Sequence, residues 1–263
     1  MKNTRKLLNW LVACGVALAM VSTLNAQTMD SSAKVVRIKG SARYSTGNNV
    51  WQPLKVGQVL KQGTIVQTAS GSMVDMVLGE GATGSVAAGA AQPSLASYTS
   101  YQPKVQRDVV RMVADTVLAI DKLTQTDTGA DKVTDTELDL RAGKILAAVK
   151  KVSAASTFEI KIPNGVAGIR GTIVSVSASG VIAVLQGTVT IAYNTPQGPQ
   201  TKTIEALFEF DTRTGELTRI VAANEMELKE VPREVQVSKA YIAFPPDNTY
   251  KEPSSLTGVE FVR

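Results

Sequence analysis

Residues 156–193 constrain the fold more than any other stretch, because they combine the alternation of β-strands with regularly placed glycines. From Ser156 to Ile162, apolar and polar residues alternate with the two-residue period of a strand that buries one face. Pro163 ends this run, since proline has no N–H for a strand ladder, and the Asn-Gly pair after it tolerates positive φ. The stretch therefore predicts four short strands: Ser156–Ile162, Ile173–Ser177, Val181–Leu185 and Thr188–Tyr193.

Short alternating runs parted by glycine or serine also occur on both sides of this stretch, at the roughly 8–12-residue spacing typical of all-β proteins. They predict an all-β fold, a single compact body of many short strands arranged as a sandwich or a β-solenoid-like roll. The body is expected to span residues 27–231, with an irregular surface insertion at about 82–107 and a loose C-terminal tail over 232–263. Within it, Ala223–Val231 is interpreted as one more alternating run.

Residues 108–123 fit two kinds of secondary structure. Their apolar residues can share one helical face, but the many β-branched residues favour two strands around a turn at Ala114-Asp115. Strands are the preferred interpretation, and a helix here would count against the all-β prediction.

The first 26 residues have the pattern of a secretory signal peptide. Basic residues precede an apolar run from Leu7 to Val21, and Leu24-Asn25-Ala26 is a suitable cleavage site. Cleavage after Ala26 predicts a periplasmic or secreted protein. An uncleaved anchor and lipidation at Cys14 are the alternatives, and either would attach the chain to a membrane.

Charge and composition exclude several classes of function. Of 28 lysines and arginines, the N-terminal 26 residues hold three and no acid, which leaves 25 basic against 23 acidic residues. This small excess does not indicate nucleic-acid binding. The chain has no histidine, so no Ser-His-Asp triad, Cys-His pair or imidazole metal site can form. No enzyme activity, cofactor or metal is predicted.

Two motifs that suggest ligand binding fit better as loops. Gly79–Gly84 matches a G-x-G-x-x-G fingerprint, but glycine and proline follow where the fingerprint requires a helix. Asp127, Asp131 and Asp135 could be offered to calcium, but their spacing differs from that of a calcium loop, and Lys132 lies among them.

The central stretch resembles the core of FecR-type periplasmic domains. IPNGVAGIRGTIVSV and the following VIAVLQGTVTI carry the resemblance, which extends over residues 33–221. The chain departs from the family pattern at Ile162, where threonine is usual, and in the insertion. The residues that the resemblance assigns to the structural turn of the motif are Pro163, Gly165, Arg170, Gly171, Thr172 and Gly187.

The resemblance implies a domain that works by contact rather than by catalysis. Well-known FecR-type proteins relay signals across the inner membrane through a membrane helix and a cytoplasmic anti-sigma segment. Only about six residues precede the apolar run of this chain, so it resembles the sensing half alone. We therefore expect protein–protein contact in the cell envelope, in signalling. The alternative is a module that binds envelope glycan or peptidoglycan.

Five residues are candidates for contact with a partner protein or a glycan. They are the insertion's tyrosines and a small basic group near the central stretch: Tyr98, Tyr101, Lys144, Lys150 and Lys151. Arg170 has two interpretations. Its guanidinium either faces a ligand or, as we prefer, bonds carbonyls or a carboxylate across the turn.

Overall fold

The computed structural model describes residues 27–48, 50–79, 108–129, 131–150 and 153–231. The expected signal peptide, the insertion at 82–107 and the tail at 232–263 lie outside these residues. The described residues form seventeen strands in one sheet, and residues 222–231 form a helix, α1. The strands are β1 (Gln27–Asp30), β2 (Ala33–Lys39), β3 (Ala42–Ser45), β4 (Gln52–Pro53), β5 (Val59–Leu60), β6 (Ile65–Thr68), β7 (Met73–Leu78), β8 (Asp108–Met112), β9 (Val117–Asp127), β10 (Lys132–Ala142), β11 (Lys144–Ala148), β12 (Thr157–Ile162), β13 (Gly165–Ser177), β14 (Val181–Thr195), β15 (Gly198–Glu205), β16 (Phe208–Asp211) and β17 (Glu216–Arg219).

The predicted all-β fold is confirmed, and the sheet curls so that its two halves enclose a core. In one half the strand order is β4–β3–β6–β9–β10–β12, and in the other it is β5–β2–β7–β8–β11. Both halves end on β13, which pairs with β12 through its first part and with β11 through its last. β14 pairs along β13. On its other side, the last part of β14 pairs with β15 in the first half, and its first part pairs with β16, and β16 with β17, in the second half.

The preferred interpretation of residues 108–123 is also confirmed. β8 and the start of β9 occupy this segment, and a turn around Asp115 separates them. The apolar residues that would share a helical face pack instead into the core and into the outer side of the sheet. β pairing on both sides of each strand supplies the hydrogen bonds that a helix would have made internally.

Residues 156–193 form three strands rather than the predicted four. β12 ends before the Pro163-Asn164 turn as expected, but β13 begins at once at Gly165 and runs without interruption through Gly171. β14 likewise runs through Gly187. The prediction was wrong because these two glycines bend strands instead of ending them.

Bends in neighbouring strands create the curl, and their backbones come too close there for a side chain. Gly143, between β10 and β11, has a φ of 80°, and a Cβ on it would lie 2.6 Å from the Cα of Thr116. The Thr116 hydroxyl is 3.0 Å from the carbonyl oxygen of Lys144, so it satisfies a backbone acceptor exposed by the bend. Gly40 likewise approaches Ser72 too closely for a Cβ to fit between them. The Ser72 hydroxyl accepts from the Ser41 N–H at 2.9 Å.

The curl brings the two ends of β13 near one another. A straight strand of this length would span about 40 Å. Instead, Asn164 just before β13 donates to the Thr212 hydroxyl at 2.6 Å, and that hydroxyl is 3.0 Å from the carbonyl oxygen of Gly180, just after β13. The sheet therefore folds back on itself around the aliphatic core, whose large, completely buried members include Leu118, Ile120, Leu138, Leu140, Ile145, Ile160 and Phe210.

Three strands of the second half, β7, β8 and β11, are buried on both faces. Almost every residue of β7, β8 and β11 is buried, which explains why these strands are nearly continuous apolar runs. On their outer side, Leu228 and Val231 of α1 pack against Val77, Val109 and Leu146.

The interpretation of Ala223–Val231 as an alternating strand was wrong. Met226 is 64% exposed although Leu228, two residues on, is fully buried, whereas Leu228 and Val231 share one helical face. Lys229 and Glu225 form an ion pair across one helical turn, at 2.6 Å. A segment rich in glutamate, alanine and lysine has strong helical propensity, and the apolar outer face of the sheet gives the helix a surface to cover.

A buried ionic cluster ties three strands together on this outer side. Asp75 is fully buried, and Arg111 donates to its two carboxylate oxygens at 2.7 and 3.1 Å. Arg37 on the neighbouring strand donates to the same carboxylate at 2.8 Å. Burial of the carboxylate is tolerated because both of its oxygens accept charge-assisted hydrogen bonds.

Gly143→Ala should test the requirement for close backbone approach at the bends. Gly63 is the matched control, because its φ of 82° is nearly the same but a Cβ there would have no atom within 4 Å. We expect Gly63→Ala to cost about 1–2 kcal/mol from backbone strain alone. Gly143→Ala should cost about 1–3 kcal/mol more from overpacking.

The measurement is the free energy of unfolding from urea titrations of both variants. Equal losses of stability in the two variants would mean that positive φ, and not the contact with Thr116, makes glycine necessary at the bend.

Candidate functional site

The Arg170-Gly171-Thr172 segment forms a bulge in the middle of β13. Arg170 lies opposite Thr188 of β14 and Ile173 opposite Gln186, so two residues of β13 face Gly187 alone. The buried Thr172 hydroxyl lies 3.1 Å from the carbonyl oxygens of both Arg170 and Thr188. The single hydroxyl proton of Thr172 can be donated to either oxygen, so Thr172 bonds a backbone acceptor at the bulge.

Glycine is required on the opposite strand for a steric reason. Gly187 has a φ of 84°, and a Cβ on it would lie 2.6 Å from the carbonyl oxygen of Gly171 and 2.8 Å from the Thr172 hydroxyl. Gly171 itself has a φ of 62°. The β13–β14 hairpin is thus bent by three residues that act together, Gly171, Thr172 and Gly187.

Pro163 and Gly165 lie at the end of the same hairpin system. Pro163 and Asn164 form the tight turn between β12 and β13, with Ile162 paired to Gly165. A Cβ on Gly165 would lie 2.5 Å from the carbonyl oxygen of Ala192. The two residues therefore fix where β13 begins.

Arg170 differs from its motif neighbours Gly171 and Thr172, because its side chain is exposed. The interpretation that we prefer from the sequence is a structural arginine bonded across the turn. Among the described residues, however, the Arg170 guanidinium makes no hydrogen bond or ion pair. Strand alternation places Arg170 on the outer side, since Ala167 and Ile169 face the core. The bulge turns Thr172 inward, where its hydroxyl bonds the backbone. The position of Arg170 thus fits the other interpretation, a ligand-facing guanidinium.

Around Arg170 lies a flat polar surface on β13, β14 and β15, which we call the Arg170 face. Paired residues across the three strands make it up, and the threonines and the glutamate among them are exposed. They are Gly168, Arg170, Thr188, Thr190, Thr203 and Glu205. Small side chains keep the surface flat, and β15 has no strand partner on its far side among the described residues.

An ionic network covers the neighbouring strands β9, β10 and β12. Lys161 donates to Glu137 at 2.8 Å and to Asp121 at 3.2 Å, and these bonds raise the lysine pKa. Asp135 contacts both Lys122 and Thr157. Burial acts to raise the pKa of Asp135, but the hydrogen bonds from Lys122 and Thr157 outweigh it and lower the pKa. The lysines of this network are therefore engaged within the fold.

The predicted basic group is not a single cluster. Lys144 forms an ion pair with Glu227 of α1 at 2.8 Å, while Lys150 follows the opposite end of β11. The strand alone separates its two ends by about 13 Å. Tyr98, Tyr101 and Lys151 lie outside the described residues.

The three aspartates considered for calcium serve other purposes. Asp127 accepts from the Gly129 N–H at 2.8 Å within the β9–β10 turn, and Asp131 accepts from the Lys132 N–H at 2.9 Å. Asp135 belongs to the ionic network. Throughout the part of the chain that the structure describes, no group of three or more His, Cys, Asp or Glu residues is arranged to hold a metal ion.

A surface groove around Trp51 was not foreseen from the sequence. It lies across β3, β4 and β6 on the first half of the sheet and has a volume of about 490 Å³. The Arg43 guanidinium stands 4.6 Å from the centre of the Trp51 ring. In the sequence, the groove is indicated only by Trp51, a tryptophan in a polar segment. That residue does not predict the strand pairing that assembles the groove.

Comparison with known proteins supports the FecR resemblance. Residues 98–190 match the family model described as FecR protein. Two crystal structures of a "putative anti-sigma factor" from Parabacteroides distasonis ATCC 8503, at 2.50 and 1.65 Å resolution, are each 16% identical to this chain with a TM-score of 0.30. Each match covers 43% of this chain and 50% of the other, so this chain spans about half the length of those proteins.

A search among curated proteins found no match. Among the described residues, no helix has both the length and the apolar character needed to cross a bilayer.

Asp108→Asn should test the cost of burying a carboxylate at the start of β8. Burial raises the pKa of Asp108 above its ordinary value of 3.8, although the Lys150 N–H donates to it at 2.8 Å. An acid with a raised folded-state pKa destabilises the fold once it ionises. Asparagine can accept the same bond without charge, so the variant should be more stable than the wild type at neutral pH.

The stability difference should vanish below about pH 3.8, where the wild-type carboxyl is protonated in both states. It should grow as the pH rises from there through the folded-state pKa. Urea unfolding of both proteins at a series of pH values measures this stability difference. A difference that does not change with pH would contradict the raised pKa of Asp108.

Proposed function

Because residues 98–190 match the FecR protein family model, we propose that this chain acts without catalysis, by binding another protein in the cell envelope as part of a signalling system. The single observation that carries the proposal is Arg170. It belongs to the motif that identifies the domain, yet its side chain is exposed and makes no bond to the described residues, so its conformation leaves it free to contact a partner.

The Arg170 face offers a partner an exposed arginine and an open strand edge. Arginine is enriched at interfaces because its planar guanidinium donates five hydrogen bonds in a fixed geometry. The flat threonine surface beside it allows a partner to approach closely, and the open edge of β15 offers backbone donors and acceptors to an extended segment. A partner that presents a carboxylate within or beside an extended segment could bind the Arg170 guanidinium and the open edge of β15 together.

The charged residues deep in the fold support a role without catalysis. Asp75 and Arg111 neutralise one another, and Asp108 binds a backbone N–H, so the described core's acids and bases are held by structural bonds. The absence of histidine from the whole chain removes the residue most often used for proton transfer near neutral pH.

Arg170→Ala should abolish partner capture while leaving the fold intact. Wild-type chain carrying a photo-crosslinker at Thr190 is expressed in the native cells, and the cross-linked partner is quantified by mass spectrometry. We expect the yield to fall about tenfold or more, as for loss of an interface arginine. Arg170→Lys keeps the charge but loses the bidentate geometry, so its cross-linking yield should lie between those of the wild type and Arg170→Ala.

Arg219→Ala is the matched control, since Arg219 is also exposed and lies on β17, away from the Arg170 face. Circular dichroism melting verifies folding of each variant. Equal cross-linking by wild type and Arg170→Ala would refute the proposed contact.

We further propose that residues 1–26 direct export and are removed. Mass spectrometry of the protein isolated from cells should then give an N-terminus at Gln27. An acylated Cys14 would instead indicate a lipoprotein, and a retained Met1 a membrane anchor. Either of these two results would contradict cleavage after Ala26.

A further inference from the structure

The groove around Trp51 lies over β3, β4 and β6 and the loop residues beside them. It is shallow and open, and its volume of about 490 Å³ lies within the range of small-molecule sites. Strand pairing fixes its floor, since Arg43 lies opposite both Pro53 and Gln67. Its lining residues are Ser41, Ala42, Arg43, Trp51, Gln52, Pro53, Gln67, Thr68 and Ala69.

Trp51 gives the groove an aromatic surface that stays accessible. Arg43 stacks over the ring at 4.6 Å, while 38% of the residue remains exposed. The stacked guanidinium holds the indole in one orientation on the surface. The face of an aromatic ring carries partial negative charge and attracts polarised C–H groups, such as those on the apolar side of a sugar ring.

The hydrogen bonds around the groove leave mainly donors facing the solvent. The Gln67 side-chain oxygen accepts from Arg43 Nε and Nη2 at 2.9 and 2.8 Å. The Gln52 side-chain oxygen accepts from the Tyr44 hydroxyl at 2.8 Å. Gln52 pairs with Tyr44, which packs against the core, so the Gln52 side chain lies on the opposite face of the strands from Arg43. In the groove the Gln67 oxygen is occupied by Arg43, and the Gln67 NH₂ group remains as a donor beside the guanidinium.

We propose that the groove around Trp51 binds a sugar ring that carries a carboxylate. The ring would stack on Trp51, and its carboxylate and hydroxyl oxygens would accept from Arg43 and Gln67. A peptide backbone suits the groove less well, because its N–H groups need acceptors and the Gln67 oxygen is already used by Arg43. The groove does not depend on contact through the Arg170 face, from which β9, β10 and β12 separate it by about 20 Å along the sheet.

Isothermal titration calorimetry of the purified full chain tests the proposal with two matched probes, glucuronic acid and glucose, which differ in a carboxylate. Wild type should bind glucuronate about tenfold more tightly than glucose, since only glucuronate brings a carboxylate that can accept a charge-assisted hydrogen bond. Trp51→Ala should weaken binding of both sugars by about tenfold or more, and Trp51→Tyr should restore most of it. Arg43→Gln should remove the preference for glucuronate.

Val56→Ala is the control variant, because Val56 is 56% exposed and does not line the groove. It should bind both sugars as the wild type does, and so should Arg170→Ala. Melting curves by circular dichroism confirm that each variant is folded. No saturable binding of either sugar to the wild type, or equal binding by wild type and folded Trp51→Ala, would overturn the proposal.

Discussion

Close backbone approach at the bends is the constraint on which the rest of this structure depends. At Gly40, Gly143 and Gly187 the chain passes so near a neighbouring serine or threonine that a Cβ has no room. At each bend the hydroxyl of that residue bonds a backbone group of the residue after the glycine. Glycine supplies the space and the hydroxyl replaces a ladder bond, so long strands turn without leaving buried polar groups unpaired.

The curl that follows from these bends determines both the core and the surface. It lets one sheet enclose its own aliphatic core, and it leaves the outer side of β7, β8 and β11 as an apolar surface that α1 covers. The outer side of the other half carries no such cover among the described residues. Its polar residues form the ionic network, the Arg170 face and the groove around Trp51, so these three surfaces belong to the same half of the sheet.

The Arg170-Gly171-Thr172 motif joins architecture and recognition in three consecutive residues. Thr172 is buried and its hydroxyl lies 3.1 Å from two carbonyl oxygens, whereas Arg170 is exposed on the outer face. The bulge is the reason for the difference, because it breaks the alternation that would otherwise relate residues two positions apart. A motif that defines a bend can therefore also present a side chain at a fixed place on the surface.

The sequence by itself determined the all-β class, most strands of the body and the exclusion of histidine chemistry, because strand alternation and composition are local properties. It misjudged β13 and β14, where glycines bend strands instead of ending them, and α1, whose helical face becomes clear only against Val77, Val109 and Leu146. Only the tertiary structure decided that Arg170 is exposed, that Lys144 pairs with Glu227, and that Arg43, Trp51 and Gln67 share a groove. The reason is physical: these relations depend on pairing between strands distant in the chain, and no local pattern records that register.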